Sequence, residues 1–478
     1  MERGQKLYSG FLESLGIEPT PCQDDAFRRI ASFIVSDDSD IMVLSGFAGT
    51  GKTTLLSAVV ATLSNLRTKC VLLAPTGRAA KVLSGFAGRP AYTIHKHIYR
   101  QKSVGDDGMG LFSLSFNKAA RTLYVVDEAS LIGASSSPEG GVSAFGSGNL
   151  LDDLVSFVRS GAECKLLLVG DLAQLPPVGL QESPALDSTI DSYGGVSRAA
   201  MTTVVRQKAG SGILHNATHL RRLLFEGFAG GMPRSGLGLK AKGFVDVERI
   251  SGGEVLDAIN DAFSRYGEDE TMIVCRSNKM AARYNGGIRS MIQYKEEQLV
   301  RGDRLMVVKN SYLVEGLWEE TDYIANGDVA VLDKIWKYES RYGLDFASAR
   351  LSFPDYGDRT LEAKVCLSTL SSEAPSLTYE QQNALFHGVW EDNSNIPSKK
   401  KRYDAVKADP FYTALQVKYG YAVTCHKAQG GQWACVFIDN PFWQDELDRD
   451  HLRWLYTALT RAVGKVYLVN FNDDCFDD

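Results

Sequence analysis

At 478 residues the chain is too long for one compact core and should divide into about two to four domains. Its 44% apolar and 23% charged content is ordinary globular composition, and no apolar run nears the ~18 residues of a membrane span, so no membrane-spanning helix is implied and the cytoplasm is the expected compartment. A net charge of −6 argues against bulk electrostatic coating of nucleic acid and leaves room only for a local basic channel.

The opening segment MERGQKLYSGFLESLG has no apolar h-region and no small-residue cleavage site, so no secretory signal is read there. The apolar run IMVLS at 41–45 reads as a buried strand, and KTTLLSAVVATL at 52–63 as a helix. Between them GFAGTGKT fits G-x-x-x-x-G-K-[ST] with the strand before and helix after that a phosphate cradle requires. Glycines let backbone N–H groups turn inward, and the helix N-terminus adds positive potential. Lys52 is expected to meet the β- and γ-phosphates, and Thr53 to ligate Mg²⁺. Gly46, Ala48, Gly49, Thr50, Gly51, Lys52, Thr53 and Thr54 are the predicted nucleotide contacts.

Next come a strand at 70–74 and a helix at 78–83, joined by a loop in which Pro75, Thr76, Gly77 and Arg78 present a hydroxyl and backbone N–H groups to a phosphodiester. Residues 92–120 predict a β-hairpin around a DDG turn, with Phe112 and Phe116 near its base. A strand at 123–126 delivers Asp127 and Glu128 at its C-terminal edge, where parallel sheets bind ligands. Asp127 is expected to hold Mg²⁺ through water, and Glu128 to orient and deprotonate the attacking water. Alone, a DE pair is as often a solvated turn; the cradle upstream gives it a role. The Gly/Ser-rich stretch 133–148 reads as a loop. A helix at 150–158 and a strand at 165–169 follow, the strand ending in GDLAQLPPV, where Gln174 is placed to sense the γ-phosphate or its water. Alternating strands and helices predict an α/β domain over 1–200.

A second α/β set begins near residue 202, with strands at 272–275, 435–438 and 466–469 and a helix at 277–292. Residues 201–328 and 416–478 are assigned to this second domain and 329–415 to an inserted small β subdomain. The glycine-rich stretch 227–243 reads as a loop. His215 and His219 have the spacing of a zinc pair but lack the glutamate of H-E-x-x-H, so no metal is expected there. The run Lys399 to Arg402 is open to three readings: a strand contact, a localisation signal or a solvated face. Eight cysteines with no C-x-x-C pair read as reduced core thiols.

The ordered set GFAGTGKT, APTGRAAKVL, VVDEAS, GDLAQLPPV, VVRQ, YAVTCHKAQG and YTALTRA resembles the superfamily-one class B DNA helicases of RecD and Dda type, over residues 23 to about 470 of the chain. The resemblance implies an α/β fold of two RecA-like P-loop domains with parallel sheets, a small β-hairpin insertion in the first and a small β-barrel-like insertion in the second. ATP lies between the lobes and single-stranded DNA runs across them. It implies that Gln23 reads the adenine edge, and that Arg206 and Arg461 approach the γ-phosphate from the second lobe. The loop holding Gly77 and Arg78 is closer to the RecD type. Thr93, Ile94 and His95, with Thr424, Cys425, His426 and Lys427, stand at the matching strand-binding positions, able to bond phosphates without reading bases. His95 also suits a packed histidine at a helix start. Gln429 and Gly430 continue toward the nucleotide and could couple the two sites. The hairpin corresponds to the element that splits the duplex, with Phe112 and Phe116 either stacking on the junction or packing. The implied activity is ATP-dependent, 5′ to 3′ DNA unwinding on forked or duplex DNA; the sequence leaves the oligomeric state open and is compatible with a monomer. An ATPase that strips bound protein without separating strands shares the same ATP site. A small-molecule P-loop kinase would need neither the second-lobe arginine nor TCHKAQG.

Overall fold

The computed structural model describes residues 2–104, 110–133, 146–204, 210–226, 230–311 and 324–477. In the first half, α1 (Glu2–Leu15) and α2 (Pro21–Val35) precede β1 (Ile41–Gly46), α3 (Lys52–Asn65), β2 (Lys69–Ala74), α4 (Gly77–Ala87), β3 (Ala91–Thr93) and α5 (Ile94–Ile98). A hairpin of β4 (Tyr99–Val104) and β5 (Gly110–Leu114) follows, then β6 (Thr122–Val126), α6 (Leu150–Ser160), β7 (Lys165–Gly170) and β8 (Val196–Met201). Six of these strands form one sheet, ordered β3-β2-β6-β7-β1-β8, with every pairing parallel. Strand β1 shows why. Its uninterrupted apolar run is buried on both faces, as a central parallel strand must be. Successive side chains alternate between two cores: Met42 and Leu44 pack with α2 and α3, Ile41 and Val43 with α5 and α6. Helix α2 starts sharply because Pro21 occupies its first turn and Thr20 and Gln23 form a capping box.

The second half continues with α7 (Gly212–Glu226), β9 (Met232–Pro233), β10 (Val247–Ile250), α8 (Val255–Tyr266), β11 (Thr271–Cys275) and α9 (Asn278–Gly287). Then come β12 (Arg304–Val307), β13 (Val329–Arg341), β14 (Leu344–Phe353), β15 (Arg359–Cys366), α10 (Tyr379–Asp392), α11 (Lys399–Ala408) and β16 (Leu415–Tyr419). The chain closes with β17 (Ala422–Thr424), α12 (Cys425–Ala428), β18 (Trp433–Asp439), β19 (Glu446–Leu447), α13 (Arg449–Leu459) and β20 (Ala462–Val469). A second parallel sheet runs β10-β20-β18-β11-β17. Its cores alternate in the same way, Met272 and Val274 on one face, Ile273 and Cys275 on the other. These are the two RecA-like lobes, and β12 to β16 close into the barrel. Alternate barrel residues fill its interior, among them Leu305, Val307, Leu332, Ala349, Leu351 and Val417.

Some local expectations differ from what forms. The barrel takes its first strand from Arg304–Val307, and helices α10 and α11 sit within a segment read as β, packed on their own aromatic cluster around Phe386 and Phe411. The helix read over 277–292 ends at Gly287 and continues as a π-helical turn, Ile288–Ile292. The Gly/Ser-rich loop falls mostly at 134–145 and the hairpin tip at 105–109, outside the described residues, as do 227–229 of the second glycine-rich stretch. All eight cysteines are free. Among the described residues no helix is long and apolar enough to cross a membrane.

Candidate active site

Sheet order decides which loops meet. Loops after β6, β7 and β1 are neighbours in mid-sheet, and those after β3 and β2 lie together at one side. At the end of β1 the chain turns back over the sheet, with Gly49 and Gly51 at φ of 79° and 83°, a region closed to most side chains. A Cβ on Gly51 would also strike Gln23 Nε2 at 2.7 Å. Thr50 braces the loop, its buried hydroxyl donating to Phe47 O at 2.8 Å. Lys52 Nζ donates to the carbonyls of Gly46 (2.6 Å) and Phe47 (3.0 Å), which holds its ammonium across the cradle.

Glu128 follows Asp127 in a left-handed conformation, φ 52°, unusual for a side chain with a Cβ and the kind of strain that collects at functional sites. Its N–H donates to Asp127 Oδ1 at 2.9 Å. Burial first, then the Glu128 charge, pushes the Asp127 carboxyl upward; Lys52 pulls the other way. Gln174 is 5% exposed, and its Oε1 is buried with no protein partner. These groups line a cleft of about 380 Å³ between the lobes: Lys52, Thr53, Asp127, Glu128 and Gln174 from the first, Gly430 and Arg461 from the second. Arg461 is buried, its guanidinium donating to Thr457 O (3.0 Å), Gly431 O (3.3 Å) and Thr460 Oγ1 (3.2 Å). Ala48 and Gly49 line the cleft as well, whereas Gly46, Thr50 and Thr54 do not; Thr54 is exposed. Gln23 is buried beside the cradle, its Oε1 accepting from Thr20 N–H (3.0 Å) and its Nε2 donating to Thr50 O (3.2 Å). Arg206 lies outside the described residues.

Three hydrogen bonds made by residues that sequence reading passed over tie the lobes together here. The Tyr456 hydroxyl accepts from Ala48 N–H at 3.0 Å and donates to Asp171 Oδ2 at 2.8 Å. Leu175 N–H donates to Thr457 Oγ1 at 2.9 Å. Gln429 adds a fourth link, Nε2 to Leu175 O at 3.1 Å. Tyr456 reads in sequence as one more core aromatic of an amphipathic helix; only its hydroxyl on a fully buried face hints at a partner.

The strand-binding candidates occupy the C-terminal ends of β2, β3 and β17. Thr76 caps α4 by accepting from Ala79 N–H at 3.2 Å, and Thr93 caps α5 by accepting from Lys96 N–H at 3.3 Å. His95 is half-buried against Tyr99, ring centroids 5.7 Å apart, and burial pushes its imidazole down. Thr424 makes no capping bond and shares a recess with Lys427, Lys418 and Asn278. Burial first, then Lys418, pushes Lys427 down to about 8. His426 is exposed. Pro75 and Gly77 lie on the turn into α4, but Arg78, from the same loop, lines the inter-lobe cleft. Phe112 packs into the first-lobe core, leaving Phe116 68% exposed. In the basic run, Lys399, Lys400 and Lys401 are exposed on α11, whereas Arg402 stacks on Trp390 at 4.2 Å. His219 Nε2 bonds Leu237 O at 3.0 Å, and no cluster of three potential metal-ligating side chains exists among the described residues.

Residues 20–223 match the family model of an AAA domain, and residues 419–469 that of a UvrD-like helicase C-terminal domain. The chain is 35% identical over 138 residues to the ATP-dependent RecD2 DNA helicase of Deinococcus radiodurans, which covers 29% of this chain and 16% of that protein. It is 24% identical to the ATP-dependent DNA helicase Dda of Enterobacteria phage T4 over 94% of this chain and 99% of Dda. Among solved structures, Bacteroides Pif1 bound to single-stranded DNA aligns over 97% of this chain and 95% of its own at 15% identity, TM-score 0.47. Pif1 helicase from Candida albicans aligns over 96% of each at 15% identity, TM-score 0.43.

Proposed function

We propose that this chain, a member of the superfamily-one class B helicases, is an ATP-dependent DNA helicase that moves 5′ to 3′ on single-stranded DNA and unwinds duplex ahead of it. The observation that carries the reading is the inter-lobe cleft, which gathers Lys52, Thr53, Asp127, Glu128 and Gln174 opposite Gly430 and Arg461. Lys52 exchanges its loop carbonyls for the β- and γ-phosphates. Glu128 takes a proton from the attacking water, which the free Oε1 of Gln174 orients. Arg461, together with Arg206, neutralises charge building on the γ-phosphate; arginine fingers contribute about 10³-fold or more. Gln23 borders the base. The Thr53 hydroxyl and Asp127 carboxylate fit Mg²⁺, a hard ion that keeps waters and phosphate oxygens and needs few protein ligands. Held by these two residues, the ion would offset the negative charge of the phosphates.

Pro75, Thr76, Gly77 and His95 in the first lobe, and Thr424, His426 and Lys427 in the second, hold backbone phosphates in turn as the lobes close and open. The tie from Gln429 to Leu175 supports this coupling, since it joins the strand-side segment of one lobe to the Gln174 loop of the other. The test is unwinding of 5′- and 3′-tailed duplexes by the wild type and by Lys52→Ala. Unwinding of the 5′-tailed substrate by the wild type alone is expected, with Lys52→Ala still binding strand. Unwinding by Lys52→Ala, or only of 3′-tailed duplex, would overturn the reading.

A further inference from the structure

Arg78 belongs by sequence to the loop that grips the strand, yet its side chain turns away from that face. It lines the nucleotide cleft in company with Ala79, Gly431 and Arg461. Its guanidinium lies 4.8 Å over the ring of Trp433, a buried second-lobe residue. Its Nη1 is sealed from solvent and has no hydrogen-bond partner. Two glycines of the second half pack beside this turn: a Cβ on Gly430 would lie 3.4 Å from Ala79 Cβ, and one on Gly327 the same distance from Arg78 Cβ. A strand contact in a motor that slides over any sequence should be hydrated and open at the sheet edge. A desolvated guanidinium with an unspent donor is costly unless an anion meets it. Arg461, by contrast, already places its Nε, Nη1 and Nη2 on oxygens of its own lobe.

We infer that Arg78 serves the nucleotide, not the strand: its guanidinium meets the terminal phosphate of ATP and thereby carries the state of the cleft into the strand-gripping loop. This deepens the helicase reading and rests on it for the identity of the nucleotide. The electrostatics agree. Burial, with Arg304 and Arg461 close by, disfavours the charged form of Arg78, while Asp355 and Asp328 compensate in part. A polyphosphate supplies the missing counter-charge. Because Arg78 directly follows Gly77 and lies within the first turn of α4, a shift of its guanidinium moves the turn that presents Thr76.

The experiment uses Arg78→Ala and Arg78→Lys in the full chain, with two equilibrium measurements. In the first, oligo-dT binding without nucleotide is followed by fluorescence anisotropy across a salt series. In the second, binding of fluorescent ADP and of a non-hydrolysable fluorescent ATP analogue is measured without DNA. Arg78→Ala should leave oligo-dT affinity within about twofold and its salt slope unchanged. It should weaken the ATP analogue about tenfold or more, as expected for a lost charged hydrogen bond, and leave ADP nearly unaffected. Arg78→Lys should recover part of that loss, which a merely structural role would not predict. A salt slope reduced by about 0.7, the value for one lost single-strand phosphate contact, with ATP-analogue binding intact would overturn the inference. So would equal weakening of ADP and the ATP analogue. Failure of the helicase reading looks different, because it appears in the wild type as hydrolysis that single-stranded DNA does not stimulate.

Discussion

Replacing Tyr456 by Phe removes one oxygen from a fully buried ring and leaves the packing of α13 unchanged. That oxygen accepts from the cradle N–H of Ala48 and donates to the Asp171 carboxylate, so the change strips partners from two groups at once. Burial and the Asp171 charge hold the phenol well above its ordinary range, so it stays a neutral donor at any working pH. Losing a hydrogen bond to a charged acceptor costs about 1.5–3 kcal/mol, and an orphaned buried N–H adds about 1–3 kcal/mol. Asp171 keeps its bond from Ala173 N–H at 2.9 Å, and the cradle can relax toward solvent, so the net loss should be about 2–4 kcal/mol. If half of that bears on the geometry of the cradle, kcat/KM for ATP should fall roughly 5- to 30-fold. The assay is steady-state ATP hydrolysis at saturating single-stranded DNA, with Asp171→Asn and the double variant alongside. Because the residues share one network, the double variant should be little worse than the worse single variant. A Tyr456→Phe enzyme within twofold of the wild type, or strictly additive losses, would refute the argument that this hydroxyl aligns the cradle across the lobes.

Lys427, held near 8, carries its full charge below about pH 7 and loses it as pH rises through 8. A phosphate favours the charged form, so oligo-dT affinity should decline from pH 7 to 9 at constant ionic strength, and Lys427→Arg should flatten the profile. Leu44→Ala empties a fully buried site of the first-lobe core and should cost that lobe about 2–5 kcal/mol, read as a lower midpoint for its transition in denaturant. Asp328, 1% exposed, accepts from Lys81 Nζ at 2.5 Å and from the Tyr356 hydroxyl at 2.7 Å, tying α4 to the barrel. Asp328→Asn should speed amide exchange in α4 and around residue 325 while leaving the far strands of the barrel protected.

The cradle and the Asp127–Glu128 pair are legible in sequence because their chemistry is set by neighbours along the chain: an apolar strand, glycines at fixed offsets, then a helix. Alternating strands and helices likewise reveal the parallel sheets, since a central parallel strand such as β1 needs an unbroken apolar run. Nothing local marks Arg304–Val307 as a barrel strand. It pairs with β13 and with β16, more than a hundred residues downstream, and ring closure has no signature at that range. Helices α10 and α11 are hidden for another reason: their buried faces rest on aromatic residues of the insertion itself, such as Phe411, and not on a repeating apolar stripe. The least readable feature is direction. The loop holding Thr76 and Arg78 can be placed at the strand face from its motif, but which way each side chain leaves α4 depends on Trp433 and the turn at Gly327, both in the other half of the molecule.

Under the proposed function, that cross-lobe dependence also accounts for how a nucleotide site and a strand site act as one device. The nucleotide loops and strand loops of the first lobe leave the same edge of one sheet, yet within that sheet β2 and β1 are separated by two strands. A parallel sheet whose register is locked by two buried faces moves as one body, so its own loops keep their spacing. Bonds that cross to the second lobe include Ala48 to Tyr456, Leu175 to Gln429, and Leu175 to Thr457. Gln429 lies two residues beyond Lys427, and Thr457 four before Arg461. Any movement of the second lobe over the phosphates must therefore move Thr424 and Lys427 relative to Thr76. Under the proposed function, a step along DNA is the displacement between two phosphate grips whose separation is set by the width of the ATP cleft.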